Sequence, residues 1–250
     1  MKTSTHEPAP PLARQASYWD KWNAETREKK INPESERQSQ VVRGWIDALN
    51  RKDLQILDVG CGCGWMSKEL SFYGSVTGLD LSPGMIERAA QRYPHIHFIA
   101  GSITDCELPA GSFDVIVTLE VLSHVADQPE FMLRCAELLK PGGLLLLSTQ
   151  NRVVYQRMGD VKPPAADQIR NWVDGRSLKQ LALHDFQLLA LQSVCPRGNL
   201  GFLRFVNSTK LNRLLARLLG EGRVQAIKER WLLGSTLMLK AQKPVAVASC

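Results

Sequence analysis

The stretch Ile56-Leu-Asp-Val-Gly-Cys-Gly-Cys-Gly64 decides the fold of this chain, because an apolar segment leads into three alternating glycines, Gly60, Gly62 and Gly64. Glycines at such a point let the backbone turn sharply and approach a ligand closely. A dinucleotide-binding loop would need its third glycine at position 65, where this chain has Trp65. The spacing therefore favours a nucleotide cofactor loop of another kind.

Two acidic residues accompany the glycine loop. Asp58 precedes the first glycine by two positions, and its carboxylate suits a positively charged cofactor better than a pyrophosphate. Asp80 ends a second apolar segment, Val76–Asp80, twenty residues beyond the first glycine. A carboxylate at that distance can accept hydrogen bonds from ribose hydroxyls. The pattern predicts a cationic cofactor that carries a ribose.

With these residues the chain resembles the class I S-adenosylmethionine-dependent methyltransferases. Later motifs follow in family order at Ile96–Ser102, Phe113–Glu120 and Leu138–Gly143. The family's third motif often reads Gly-Asp, whereas this chain has Gly101-Ser102, so the Ser hydroxyl or the backbone near Ile103 must replace an adenine contact. The resemblance implies donor contacts at Asp58, Gly60, Cys61, Gly62, Gly64, Asp80, Leu81, Met85, Ser102, Ile103 and Leu119.

The order of predicted elements indicates an α/β fold with a doubly wound, mostly parallel seven-stranded sheet, the Rossmann-like methyltransferase fold. We predict a disordered tail at residues 1–13, an N-terminal helical lid at 14–50 and a methyltransferase core at 51–250. The resemblance implies that the last two strands form a hairpin with an antiparallel member. A helical insertion at about 196–232 would then cap the crevice and help to select the substrate.

Composition sets limits on class and compartment. The chain has 250 residues, of which 44% are apolar, enough for one sizeable domain with an ample core. No run of about eighteen apolar residues and no signal peptide occurs, which predicts a soluble, cytoplasmic protein. Six scattered cysteines are expected to be thiols. Cys61 and Cys63 form a C-x-C pair that we interpret as small loop residues, so no metal site is predicted.

The net charge of +6 is concentrated at one end, because residues 200–250 contain nine Lys or Arg and two Asp or Glu. Within that region five leucines recur at helical spacing, with basic residues on other faces: Leu211, Leu214, Leu215, Leu218 and Leu219, with Lys210, Arg213 and Arg217. A basic amphipathic helix over 210–219 could lie on an anionic membrane surface. It could also pack as a cap over the active site or against another subunit.

The segment after the fourth predicted strand contains two candidate catalytic residues. His124 could act as the base that removes a proton from a phenol or an amine, or it could begin the following helix and only shape the pocket. Glu120 could accept from the donor's amino group, hold His124, bind a metal or remain solvated. Both roles are left open by the sequence.

A closer resemblance is to the ubiquinone-pathway polyprenyl-dihydroxyphenol O-methyltransferases. It rests on Glu120–Val125, on Lys140–Gly143, on Ser148–Arg152 and on Tyr18–Asp20 followed by Ile31–Pro33. In that family two glutamates precede the histidine and are linked to a divalent metal. Here Ser123 replaces the second glutamate, which makes a metal doubtful.

Seven residues are predicted to contact the acceptor: Tyr18, Trp19, Trp22, Arg37, Asn151, Arg152 and Trp172. The three aromatic residues at 18–22 have helical spacing and could form a lid over donor and acceptor, or simply staple the first helix to the core. Arg37 could reach a carboxylate of the acceptor. The last three follow strand ends and could equally be interdomain or solvated loop residues.

The motifs together predict methyl transfer from S-adenosylmethionine, with S-adenosylhomocysteine as product, to an O or N atom of a small molecule. Quinone precursors and secondary metabolites are the acceptor types that the resemblance suggests. A nucleic-acid methyltransferase is one alternative, favoured by the basic C-terminal fifth. A non-catalytic S-adenosylmethionine-binding scaffold is the other, since a fold alone does not establish activity. The sequence leaves the oligomeric state open.

Overall fold

A computed structural model describes residues 9–26 and 32–245, in which strands and helices alternate. The strands are β1 (Leu54–Val59), β2 (Gly74–Asp80), β3 (His97–Ala100), β4 (Phe113–Leu119), β5 (Leu139–Gln150), β6 (Gln187–Pro196) and β7 (Gly234–Gln242). The α-helices in these residues are α1 (Leu12–Thr26), α2 (Pro33–Asp47), α3 (Trp65–Leu70), α4 (Pro83–Arg92), α5 (Gln128–Leu138), α6 (Arg152–Tyr155), α7 (Gly175–Asp185), α8 (Phe202–Val206), α9 (Thr209–Leu219) and α10 (Glu221–Arg230).

The seven strands form one sheet in the order β3-β2-β1-β4-β5-β7-β6. Pairing is parallel from β3 to β5, whereas β7 runs antiparallel to both β5 and β6. The predicted doubly wound, mostly parallel sheet with an antiparallel member is therefore confirmed. Because the chain order reverses between β1 and β4, a crevice opens beyond the carboxyl ends of these strands.

Helices that border this crevice begin at capping side chains. Oδ1 of Asn32 accepts from a backbone N–H in the first turn of α2 at 2.7 Å, and Oγ of Ser82 does the same for α4 at 3.2 Å. Pro33 and Pro83 then occupy the first helical position, where their missing N–H would have had no partner. Local sequence thus fixes where both helices start.

The sheet is buried on both faces, as a parallel sheet covered by helices requires. Leu57 and Ile116 belong to the core on the side of α5 and α7. Their chain neighbours Ile56 and Val115 belong to the core on the side of α2 and α3. All four side chains are fully buried, and each contributes roughly 1.5–3 kcal/mol by burial. This core holds the strand ends firmly in place.

Some boundaries differ from the predicted ones. Helix α1 begins at Leu12, two residues inside the predicted tail, and residues 1–8 of that tail lie outside the described part of the chain. The predicted insertion at about 196–232 contains α8, α9 and α10. The short helix α6 has no counterpart among the predicted elements. Of the helices described, none is both long and apolar enough to cross a membrane.

Candidate functional site

The glycine loop after β1 forms a cradle of main chain. Gly60, Gly62 and Gly64 have φ values of +72°, +55° and +77°, in the left-handed region that favours glycine. A Cβ atom on Gly60 would lie 2.1 Å from Cγ2 of Val121, and one on Gly62 would lie 3.1 Å from Cε of Met85. Side chains at these positions would strain the backbone and crowd Val121 and Met85, so this loop conformation requires glycine.

Asp80 is held at the loop by backbone donors. Its Oδ2 accepts from the N–H of Gly62 at 2.9 Å, and its Oδ1 accepts from the N–H of Ser82 at 3.0 Å. Burial raises the pKa of this carboxyl, while the backbone N–H groups act in the opposite direction. Each carboxylate oxygen has a further lone pair that could accept from a ribose hydroxyl. The geometry permits a ribose contact, which stays a prediction.

Asp58 is a buried carboxyl beneath the loop, with only 2% of its surface exposed. Its Oδ2 accepts from Oγ of Ser67 at 2.6 Å. Burial, the largest cause, and the neighbouring Asp80 together raise its pKa to about 7, while the hydrogen bonds from Ser67 act in the opposite direction. Two carboxyl groups in one desolvated region favour a cationic ligand, because a nearby positive charge stabilises their ionised forms.

The remaining predicted donor contacts surround the same loop. Leu81 and Leu119 lie half-buried directly after β2 and at the end of β4, while Met85 and Cys61 are buried. Oγ of Ser102 lies 2.8 Å from Oγ1 of Thr104. The side chain of Ile103 belongs to the core, so at this position only backbone could reach a ligand.

The described residues contain no group of three or more His, Cys, Asp or Glu side chains that could hold a metal ion. Cys61 and Cys63 are buried free thiols. Ser123, at the position of the family glutamate, is also buried, and its hydroxyl donates to Oε1 of Gln150 at 2.5 Å. A neutral donor already bonded to an amide is a poor ligand for a divalent cation, so the residues present do not fit the family's metal.

His124 ends a single 3₁₀ turn, Leu122–His124, and does not begin helix α5, which starts at Gln128. Its Nδ1 lies 2.8 Å from the carbonyl oxygen of Ile169. A carbonyl can only accept, so Nδ1 carries the proton and Nε2 of the neutral ring has the free lone pair. Burial lowers the pKa of His124, which keeps the ring neutral near pH 7. The ring is therefore in the form that a base requires.

Glu120 follows β4 with a φ of +62°, an uncommon conformation for a residue other than glycine. Its Oε1 accepts from Nε2 of Gln38 at 3.0 Å and from Oγ of Ser148 at 3.4 Å. Its backbone N–H donates to the carbonyl of Ser148 at 3.0 Å. The carboxylate is thus oriented by α2 and β5, while Nδ1 of His124 has Ile169 as its partner.

Helix α1 covers the crevice with the predicted aromatic residues. The Trp19 ring centroid lies 4.4 Å from that of His124, 4.9 Å from that of Tyr18 and 5.6 Å from that of Trp22. Asp20 forms a 2.7 Å ion pair with Arg88 of α4. The aromatic group therefore lies directly over the candidate base, as a lid would.

Three other predicted acceptor contacts have partners of their own. Arg37 forms a 2.8 Å ion pair with the buried Glu229 of α10, which connects α2 to the insertion. Arg152 is paired with Asp174. Trp172 lies against the ring of Tyr155, with 5.0 Å between the two centroids.

Asn151 needs a correction, because its buried side chain has a structural role. Both amide hydrogens are used, in 2.9 Å bonds to the carbonyls of Leu232 and Gly234, and Oδ1 accepts from the N–H of Val153. With 1% of its surface exposed, the residue joins β5 to the start of β7. It offers no amide hydrogen to an acceptor.

Several site residues were not found from the sequence. Ile169 lies in an irregular segment, and nothing in the sequence marks it as the partner of His124. Arg170 lies 5.0 Å from the Trp172 ring and lowers the pKa of Tyr18, although burial raises that pKa overall. Gln38 could have been found, because it continues the buried stripe of α2 at helical spacing.

Comparison with known proteins identifies the domain. Residues 57–147 match a family model described as a methyltransferase domain. A ubiquinone biosynthesis O-methyltransferase from Xanthomonas axonopodis pv. citri is 33% identical over 147 residues, which cover 56% of this chain and 59% of that protein. The chain matches only 39–59% of the length of such curated relatives.

Solved structures share the fold at low identity. The [4+2]-cyclase SpnF matches with a TM-score of 0.66 and 17% identity, covering 96% of this chain and 99% of that one. An S-adenosylmethionine-dependent methyltransferase from Mesorhizobium loti matches with a TM-score of 0.57 and 21% identity, covering 80% and 96%. These likenesses confirm the Rossmann-like fold, and the family match confirms the resemblance to class I methyltransferases.

Proposed function

We propose that this chain, which carries a methyltransferase domain over residues 57–147, methylates an O or N atom of a small molecule of the quinone-precursor or secondary-metabolite type. The proposal rests on one juxtaposition, which brings a donor-binding loop and a neutral histidine to the same edge of the sheet. The name of the Xanthomonas relative, with its O-methyltransferase activity, supports the acceptor class.

The residues present fit S-adenosylmethionine. The left-handed turns at Gly60 and Gly62, which carry no side chains, leave main chain to contact the ligand. Asp80 would hold the ribose, and the buried carboxyl of Asp58 favours a positive charge. When bound, this cofactor supplies a methyl group on a sulfonium, which makes the group electrophilic.

The chain's own contribution is then orientation, exclusion of water and removal of a proton. A phenol or an ammonium group must lose a proton to become a nucleophile. The lone pair on Nε2 of His124 can accept that proton. The carbonyl of Ile169 holds the ring in the required tautomer. Trp19, packed against the ring, would shield this region from solvent when α1 is in place.

Two other functions have weaker support. A nucleic-acid methyltransferase would need basic residues around the acceptor, whereas the ring that packs on His124 is an indole. A non-catalytic scaffold remains an alternative, because a protein named as a [4+2]-cyclase shares this fold. A measurement of methyl transfer distinguishes a non-catalytic scaffold from an enzyme.

The test pairs calorimetry with turnover. S-adenosylmethionine and S-adenosylhomocysteine are titrated with and without magnesium, and transfer of labelled methyl to catechol, alkylated catechols and the small-molecule fraction of an extract is measured. We expect His124→Gln to lower kcat by roughly a hundredfold or more while both dissociation constants stay within about twofold. His184→Gln is the matched control, since that histidine is exposed beside Asp185.

The outcomes separate the hypotheses. Absence of binding to either ligand contradicts donor use altogether. Binding without methyl transfer to any acceptor fraction supports the scaffold. Unchanged turnover in His124→Gln contradicts the role of the base but leaves methyl transfer standing. Methyl transfer to tRNA that exceeds transfer to the small-molecule fraction supports the nucleic-acid alternative.

A further inference from the structure

Helix α9 is amphipathic, and its polar side faces inward. Five of its polar or small residues line a groove of about 780 Å³ between α9, α10 and the end of β6: Thr209, Asn212, Arg213, Ala216 and Arg217. No residue of this helix is buried. A surface helix of a soluble domain normally turns its apolar stripe to the core, so this orientation is the reverse of the usual one.

The leucines of α9 consequently face solvent. Leu211, Leu214, Leu218 and Leu219 are exposed, from 40% at Leu211 to 72% at Leu218. Other large apolar side chains of the insertion are exposed as well: Leu200, Phe202, Phe205, Ile227 and Trp231. Single exposed leucines are ordinary, but this concentration within one segment indicates a surface that meets another apolar phase.

Cations accompany these apolar residues. Between residues 200 and 231 of the insertion six Lys or Arg side chains are exposed: Arg204, Lys210, Arg213, Arg217, Arg223 and Arg230. Arg213 and Arg217 also line the groove, whereas the other four do not. Of the insertion's two carboxylates, Glu229 is buried in the ion pair with Arg37, which leaves Glu221 as the exposed acid between residues 200 and 231. The surface is therefore apolar and strongly positive at once.

We propose that the insertion α8–α10 docks onto an anionic lipid membrane. Leucine side chains and the Trp231 indole would enter the boundary between head groups and acyl chains, and the cations would face anionic head groups. A symmetric contact with a second copy is disfavoured, because it would bring two sets of like charges together. This proposal does not depend on methyl transfer, and its readout is independent of it.

The test is co-sedimentation of the full chain with vesicles of phosphatidylcholine alone and of phosphatidylcholine with phosphatidylglycerol. We expect binding to the anionic vesicles, weakened by salt, and little binding to the neutral ones. The double variant Leu214→Ser/Leu218→Ser should bind the anionic vesicles at least about tenfold more weakly. Lys210→Gln, which changes an exposed cation that does not line the groove, should reduce binding by about fivefold.

A matched control uses leucines of similar exposure elsewhere. Leu133→Ser/Leu183→Ser changes side chains that are 46% and 52% exposed on α5 and α7, and it should bind like wild type. Circular dichroism and the unfolding midpoint of both double variants show that the fold is retained. Equal binding by the two double variants, or no binding by wild type, overturns the proposal. So does a concentration-dependent dimer that Leu214→Ser/Leu218→Ser abolishes, which would assign the surface to a second copy.

Discussion

Replacing Asp58 with asparagine should change the pH dependence of stability. The folded carboxyl has its pKa raised by burial to about 7, compared with 3.8 in a solvated chain. The folded state therefore retains a proton that the unfolded state releases. Its stabilising effect is complete below the unfolded pKa and is lost as the pH rises to the folded pKa.

The magnitude follows from these two values. Each pH unit between them is worth about 1.4 kcal/mol, so ionising the buried group costs about 4 kcal/mol above pH 7. About 3 kcal/mol of this ionisation cost appears as the pH rises from about 5 to about 8. Asp58→Asn, which stays neutral and can still accept from Ser67, removes the cost. The free energy of unfolding of the variant relative to wild type should therefore rise by about that amount.

Urea unfolding of both proteins at several pH values measures this difference. The other titrating groups are common to the two proteins, so their contributions cancel when the free energies of unfolding are subtracted. Asp53→Asn is the control, because Asp53 is exposed and its pKa is lowered by Arg51. Its carboxyl is ionised in both the folded and the unfolded state between about pH 5 and about pH 8, so the relative stability of this variant should stay flat there. A free-energy difference for Asp58→Asn that does not change with pH would refute the argument that burial dominates at this carboxyl.

Three further predictions concern the donor and the lid. Asp80→Ala should weaken binding of S-adenosylmethionine and S-adenosylhomocysteine alike by roughly tenfold or more in calorimetry, because ribose acceptors are lost from both complexes. Gly60→Ala should lower donor affinity and the unfolding midpoint together, since its Cβ would lie 2.1 Å from Cγ2 of Val121; an unchanged affinity would contradict the cradle. Arg88→Gln removes the ion pair with Asp20, which is partly exposed, and should cost about 1 kcal/mol or less of stability while it increases proteolysis within α1.

The sequence was sufficient for the part of the site that is local in the chain. Strand, glycine loop and acid follow one another within residues 54–80, and the turn conformation of Gly60 and Gly62 needs glycine whatever surrounds it. Capping residues such as Ser82 likewise act within a few positions. The strand, the glycine loop and the acid were predicted because their physical causes lie within a short segment.

The rest of the site depends on contacts between distant positions. Arg37 and Glu229 are 192 residues apart, and nothing in the sequence around either residue indicates that the two form an ion pair. The partner of His124 is a backbone carbonyl, which every residue possesses, so no pattern could select Ile169. The spacing of leucines predicted an amphipathic helix over 210–219 but could not tell which side faces the protein.

Helix α1, the predicted lid, is held less firmly than the strand ends of this site. The donor loop and Asp80 are fixed by fully buried strands, whereas in α1 the one buried residue is Gln15. Two partly exposed ion pairs hold the helix, Asp20 with Arg88 and Arg14 with Asp167, and such pairs contribute about 0–1 kcal/mol each. Detaching α1 is therefore much less costly than disturbing the strand ends. Because Trp19 lies against His124, we predict that an acceptor reaches this histidine when α1 moves aside, and that the return of α1 excludes water from the reacting atoms.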